Sequence, residues 1–170
     1  MGLQSLPVYA DMASITVISV GTLKEKYLID AVLEYKKRLS AYARVEEINI
    51  KEERIANEDD PTDVRRALDC EGEKILQSIP KGAACIALCV EGKSPDSPAL
   101  ASLIGKMIDE RGRIALIIGS SHGLSDKVKE KSDLKLSISS LTFPHQLARV
   151  VIMEALYRSF TILKGKKYHK

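Results

Sequence analysis

Apolar residues along this chain switch repeatedly between two rhythms. The stretch SITVISV (14–20) packs β-branched residues into a short run and predicts a strand. Directly after it, Leu28, Ala31, Val32, Tyr35 and Leu39 recur at spacings of three and four, which predicts a helix over 24–39. RVEEINI (44–50) alternates imperfectly, as an edge strand does, and the acidic KEERIANEDD reads as a loop. Asp60 then caps a helix whose first position is Pro61, where the missing amide hydrogen costs nothing. Val64, Leu68, Ile75 and Ile79 mark the buried side of that helix, and Pro80 ends it. AACIALCV (83–90) is apolar without alternation, the pattern of a strand covered on both faces. Ser97 and Pro98 open the next helix, with Leu100, Leu103, Ile104, Met107 and Ile108 inside. RIALII (113–118) predicts a second central strand, followed by a short helix capped by Ser125, a last strand LKLSIS (134–139) and the longest helix, from Pro144 to about Leu163.

This alternation predicts an α/β fold: a mostly parallel sheet with helices on both faces and right-handed crossovers. No repeat or low-complexity linker divides residues 14–170, so they read as a single domain. Residues 1–13 precede the first periodic segment and contain a second methionine, Met12; they are expected to be a disordered extension, an added leader or an upstream start. The last helix is apolar nearly all round, broken between Leu147 and Leu163 only by Arg149, Glu154, Arg158, Ser159 and Thr161. One face can rest on the chain's own sheet. The other face has two readings, burial in one core or the seam of a two-fold dimer.

Composition narrows this picture a little. With 45% hydrophobic and 29% charged residues over 170 positions, the chain reads as an ordinary globular protein. It lacks the run of roughly 20 apolar residues that a spanning helix needs, so no membrane partner is expected. The net charge of +3 is mild, but Lys164, Lys166, Lys167 and Lys170 gather in the closing KGKKYHK with no acid among them. That tail is either a solvated end or a phosphate-contacting one. Cys70, Cys85 and Cys89 form no CxxC pair and read as reduced core residues.

In an open parallel sheet, ligands bind beyond the carboxyl ends of the strands. The loops expected there are VEGKSPDS, GSSHGLSD and SSLTFPHQ. Gly92, Gly119 and Gly123 permit close backbone approach, and Ser120, Ser121, Ser139, Ser140 and Thr142 add neutral hydroxyls. SVGTLKEKY has one glycine where a dinucleotide fingerprint has three, and no GxxxxGK[ST] loop is present. His122, His145 and His169 are widely spaced, so no metal is expected. A ligand held by glycine amides and hydroxyls, such as a nucleoside, fits these loops. Gly119, Ser121 and Gly123 also spell GxSxG, the pattern of a nucleophile elbow. A small serine hydrolase using Ser121 is therefore one alternative, and a non-catalytic nucleoside- or RNA-binding module another.

The closing SSLTFPHQLARVVIMEALYRSFTILKGKKYHK resembles, almost position by position, the carboxyl-terminal signature of the RlmH (YbeA-like) family of SPOUT methyltransferases. The resemblance extends from about Ile15 to the end through VGTLKEKYLIDAVLEYKKRL, EGEKIL, LCVEGK and IIGSSHGLS. It implies an obligate homodimer with a trefoil knot in the carboxyl half. It also implies binding of S-adenosylmethionine and methylation of N3 of a pseudouridine in a large-subunit ribosomal RNA hairpin loop, with the assembled ribosome as substrate. The expected compartment is the cytoplasm, or an organelle stroma or matrix in a eukaryote. Carried over by position, the cofactor contacts are Leu88, Gly119, Ile138, Ser139, Ser140, Leu141, Thr142 and Phe143. The family commonly has two glycines where this chain has Gly119 and Ser120, which puts a hydroxyl near the expected cofactor.

An activated methyl donor leaves the protein two tasks, placing the acceptor nitrogen in line and aiding loss of its weakly acidic imide proton. Arg149 and His169 are the expected helpers, with the terminal YHK reaching the partner subunit's pocket to place Tyr168 against a base and His169 near its imide; Arg149 alternatively makes a structural salt bridge. His145, following Pro144, reads as a turn-stabilising residue, and Lys164, Lys166, Lys167 and Lys170 are expected to meet RNA phosphates.

Overall fold

The computed structural model describes residues 13–168. The expected extension therefore lies, apart from Ala13, outside the described residues, as do His169 and Lys170. Strands β1 (Ala13–Val20), β2 (Ala43–Ile50), β3 (Ala84–Lys93), β4 (Arg113–Ile118) and β5 (Leu134–Leu136) form one sheet in the order β2-β1-β4-β3-β5. All four pairings are parallel. The imperfectly alternating strand is indeed at an edge, and the two unbroken apolar runs are interior.

Helices α1 (Lys26–Leu39), α3 (Ser97–Arg111) and α5 (His145–Leu163) cover one face, with α5 seated against both α1 and α3. Their core joins Val32, Leu39, Leu100, Ile104, Ile152, Met153, Leu156 and Phe160 to Ile15, Ile86, Ile114 and Leu116 of the strands. Helices α2 (Pro61–Ser78) and α4 (Asp126–Lys131) cover the other face, where Ile75, Leu124 and Val128 meet Ile18, Ala87, Ala115 and Ile117. Burying an aliphatic side chain is worth about 1.5–3 kcal/mol, so two such clusters fix which side of each strand faces which helices.

Two expectations need correction. The last strand ends at Leu136 rather than Ser139, because the serines fold the chain on themselves. Ser137 Oγ donates to the Ser139 carbonyl at 3.0 Å, and Ser139 Oγ accepts from the Leu141 amide at 3.0 Å. Helix α3 opens at Ser97 and Pro98 as expected, with Asp96 as its cap: the carboxylate accepts from the Ala99 amide at 2.8 Å. Cys70 is exposed rather than in the core, because it sits on the outer side of α2; Cys85 is buried and Cys89 half-buried.

Strand β3 also runs on past its expected end, with Leu88 and Lys93 both opposite Leu136. A Cβ at Gly92 would stand 2.6 Å from the Lys135 carbonyl carbon and 2.7 Å from two Leu136 backbone atoms. Only glycine permits backbones to lie this close.

Candidate functional site

Strands β4, β3 and β5 are neighbours, and their carboxyl ends are in register: Leu88 pairs with Ile118 on one side and Leu136 on the other. Leu88, Gly119 and the loop starting at Ser137 thus leave the same edge of the sheet side by side. The sheet itself brings these three segments together.

The GSSHG turn at the end of β4 is built from its own backbone. A Cβ on Gly119 would stand 2.1 Å from the Gly123 carbonyl oxygen, and Gly123 has a φ of +90°. The Gly123 amide donates to the Ser120 carbonyl at 2.9 Å. The turn itself thus requires a glycine at position 119. Ser120 is buried near Glu71 of α2, a carboxylate only 3% exposed that accepts from the Glu53 amide at 2.8 Å. Burial pushes the Glu71 carboxyl above the ordinary glutamate value, while the Glu53 amide and the Ser120 hydroxyl pull it back. The hydroxyl at position 120 thus acts on a carboxylate of α2.

Ser121 Oγ lies 3.3 Å from Nδ1 of its neighbour His122. A serine hydrolase would need an acid beyond the serine, and Asp133 is held by Arg111 at 2.9 Å and the Cys85 amide at 2.8 Å.

Within the 138–143 loop, Ile138, Ser139 and Phe143 are half-buried, Ser140 and Thr142 are exposed, and Leu141 is 71% exposed. The loop presents hydroxyls and apolar surface and no charge, a lining suited to a nucleoside.

Directly after the loop, α5 ties down the opposite half of the rim. Arg149 is buried and donates through one terminal nitrogen to the carbonyls of Val20 at 3.2 Å and Gly21 at 2.5 Å. Its Nε is buried without a hydrogen-bond partner among the described residues. Burial lowers its pKa from the usual arginine value, partly offset by the charge of Glu47. Gln146, one turn earlier, accepts from the Lys24 amide at 3.3 Å. Both residues thereby fasten the β1–α1 loop to the start of α5. Beside them opens a cleft of about 420 Å³, lined by Gly21, Thr22, Lys24, Asn49, Lys51, Glu52, His145 and Gln146 among others. His145 is thus a wall of this cleft.

At the other end of α5, Gly165 turns left-handed (φ +64°) and sends the chain back along the helix. Tyr168 packs edge-on against Tyr157 with ring centroids 4.9 Å apart, and its hydroxyl donates to Glu154 at 3.2 Å. The Arg158 guanidinium lies 4.7 Å from the Tyr168 ring centre. Lys166 and Lys167 are exposed and Lys164 half-buried.

A family model described as "Predicted SPOUT methyltransferase" matches residues 13–169. The chain belongs to the SPOUT methyltransferases. Relatives named "Ribosomal RNA large subunit methyltransferase H" place it in that branch. One, from Caldicellulosiruptor bescii, is 46% identical over 156 residues, covering 92% of this chain and 99% of the relative. Another, from Bacillus pumilus, is 44% identical over 158 residues with the same coverage. A solved structure of a "probable methyltransferase" from Bordetella pertussis Tohama I superposes with a TM-score of 0.59 at 15% identity, covering 89% of this chain and 97% of that one; it supports the fold.

For a SPOUT methyltransferase, sequence reasoning missed Glu71, Gln146 and the β1–β2 cleft. Gln146 stands inside the quoted PHQ and Glu71 inside EGEKIL, but no spacing rule pairs either with its distant partner. Among the described residues no helix is long and apolar enough to cross a membrane, and no cluster of three metal-ligating side chains occurs.

Proposed function

We propose that this protein transfers a methyl group from S-adenosylmethionine to N3 of a pseudouridine in a hairpin loop of large-subunit ribosomal RNA, acting on the assembled ribosome. The observation that carries the reading is the register of Leu88 with Ile118 and Leu136, which sets three segments side by side on one edge of the sheet. Leu88, Gly119 and residues 138–143 hold the cofactor. Its fit rests on the loop's chemistry: exposed hydroxyls of Ser140 and Thr142 for ribose or methionine, and apolar surface of Ile138, Leu141 and Phe143 for adenine. When bound, S-adenosylmethionine supplies an activated methyl on sulfonium.

The chain's own part is to align the acceptor and ease loss of the imide proton. Reaching the partner protomer's pocket from the far end of α5, Tyr168 meets a base and His169 takes the proton. Arg149 is a fixed cation whose Nε–H has no partner among the described residues, so its field favours the imide anion without reorganising. Lys164, Lys166, Lys167 and Lys170 meet phosphates.

The working unit is a homodimer with a trefoil knot in its carboxyl half, in the cytoplasm or an organelle interior. Two observations support these. Leu147, Val151 and Ile162 lie on α5 outside the sheet-facing core cluster, on a stripe interrupted by the Glu154–Arg158 ion pair, and a second copy would cover it. Gly92 lets the extended β3 lie tightly against Lys135–Leu136 just before the 138–143 loop, which falls in the carboxyl half where the knot is proposed.

The test is transfer of labelled methyl from S-adenosylmethionine to ribosomes lacking the modification, with free ribosomal RNA as control. Incorporation into ribosomes is expected, and truncation after Leu163 should abolish it. No incorporation into either RNA would refute the enzyme reading.

A further inference from the structure

The cleft at the carboxyl ends of β1 and β2 lies outside the cofactor loops, and the proposed reaction gives it no role. We infer that it holds one nucleotide of the substrate RNA other than the methyl acceptor; this rests on the reading above. Its size, about 420 Å³, falls within the roughly 300–1,000 Å³ of small-molecule sites. Its lining is mixed in a particular way. Lys24 and Lys51 are exposed at its edge, and neither makes an ion pair with another described residue. Thr22, Asn49 and Gln146 add neutral polar groups. Gln146 accepts from the Lys24 amide through its carbonyl oxygen, which leaves its amide hydrogens for another partner.

Glu52 decides what kind of ligand this is. Its carboxylate lies 3.5 Å from where a Gly21 Cβ would stand, so the absence of a side chain at position 21 leaves that face open. A carboxylate repels a bare phosphate and accepts from a donor, which a nucleobase N–H or a ribose hydroxyl supplies. Lysines for the backbone charge and a carboxylate with amides for base or sugar together describe a nucleotide. The place fits as well. His145 and Gln146 of the cleft continue directly from the 138–143 loop through Pro144, and Gln146 and Arg149 hold the opposite wall in position. An RNA strand presented to the cofactor loop would have a neighbouring nucleotide within reach of a preformed cleft.

The experiment compares wild type with Lys24→Ala/Lys51→Ala and with Glu52→Ala, using unmodified ribosomes as the probe. Binding is read against salt concentration and methyl transfer as kcat and KM separately. The double variant should raise KM about tenfold, leave kcat and S-adenosylmethionine affinity within about twofold, and reduce the log–log salt slope by about 1 to 2. Glu52→Ala separates a nucleotide pocket from a merely basic surface. Removing a negative charge strengthens binding to a basic surface, whereas loss of a base or sugar acceptor weakens it, and weakening by several-fold is expected. An unchanged salt slope in the double variant, tighter binding by Glu52→Ala, or a parallel loss of cofactor affinity would each overturn the inference. Should wild type transfer no methyl at all, the function itself fails, and the ribosome-binding comparison still judges the cleft.

Discussion

The carboxyl rim of this sheet has two unlike halves. Over β4, β3 and β5, the loops carry glycines and hydroxyls, and their shape comes from backbone and serine bonds within the loops themselves. Over β1 and β2, the loop is held from outside by Arg149 and Gln146 of α5, and its residues are charged. The difference teaches that one half is shaped by close backbone approach and hydroxyls, the other by charged side chains. The segment 138–149 belongs to both, so a single stretch of chain couples them.

The strongest way to break the first half is Gly119→Ala. The added carbon would meet the Gly123 carbonyl at 2.1 Å, and backbone atoms rather than a flexible side chain must move. A loss of about 3 kcal/mol in urea-midpoint stability is expected, with methyl transfer abolished. Gly123→Ala is the informative contrast. It meets open space but sits at φ +90°, so strain alone acts, costing about 1–2 kcal/mol. Equal losses at the two positions would contradict the close-approach argument.

Breaking the second half calls for Arg149→Met. This removes the bonds to the Val20 and Gly21 carbonyls while keeping an apolar stem of similar length. Bonds from a charged donor are worth about 1.5–3 kcal/mol, offset here by release of a buried cation, so a net loss of about 1–2 kcal/mol is expected. Methyl transfer should fall at least tenfold if its charge favours the imide anion. Cofactor affinity, measured by calorimetry, should stay within about twofold. Loss of cofactor binding instead would mean that the halves are not separable.

How much of this was legible beforehand depends on the range of the interaction. Strand and helix patterns arise from neighbours a few residues apart, so the edge position of β2 and the interior runs of β3 and β4 could be read directly. Strand order could not, because β1 lies beside β4 through contacts about a hundred residues apart in sequence. The serine-folded end of β5 was misread for a related reason: LKLSIS alternates as a strand does, and only the hydroxyl bonds of Ser137 and Ser139 turn it aside. Of the site, the cofactor loops were legible as strand ends rich in glycine and serine. The Arg149 bonds, the Glu71–Ser120 proximity and the lysine-edged cleft join residues from distant segments, and no local pattern announces them.

A subtler lever on the first half is pH, acting through Glu71. Burial raises its folded pKa above 4.5, so across the window upward from that value the native state binds more protons than the unfolded chain. Stability therefore declines as pH rises through this window. Glu71→Gln carries no such penalty, so its urea midpoint should gain on wild type from about pH 4 to about pH 8. A difference between the two that does not change with pH would mean the carboxyl is not desolvated.

The smallest expected effect is Ser120→Gly, which restores the family's double glycine. From sequence alone a hydroxyl here looks placed to disturb the cofactor, because Gly119 next to it lies at the strand end. In the structure Ser120 is 7% exposed and its hydroxyl helps to lower the pKa of Glu71 on α2, so it serves the helix that braces the turn. Removing it should cost up to about 1 kcal/mol, the worth of one buried hydrogen bond, and leave S-adenosylmethionine affinity within about twofold. In the Glu71→Gln background the same substitution should cost less, since the carboxylate it favours is gone. A double-mutant cycle on urea midpoints measures this coupling. If Ser120→Gly tightened cofactor binding tenfold with no change in stability, the hydroxyl would belong to the first half's ligand rather than to its scaffold.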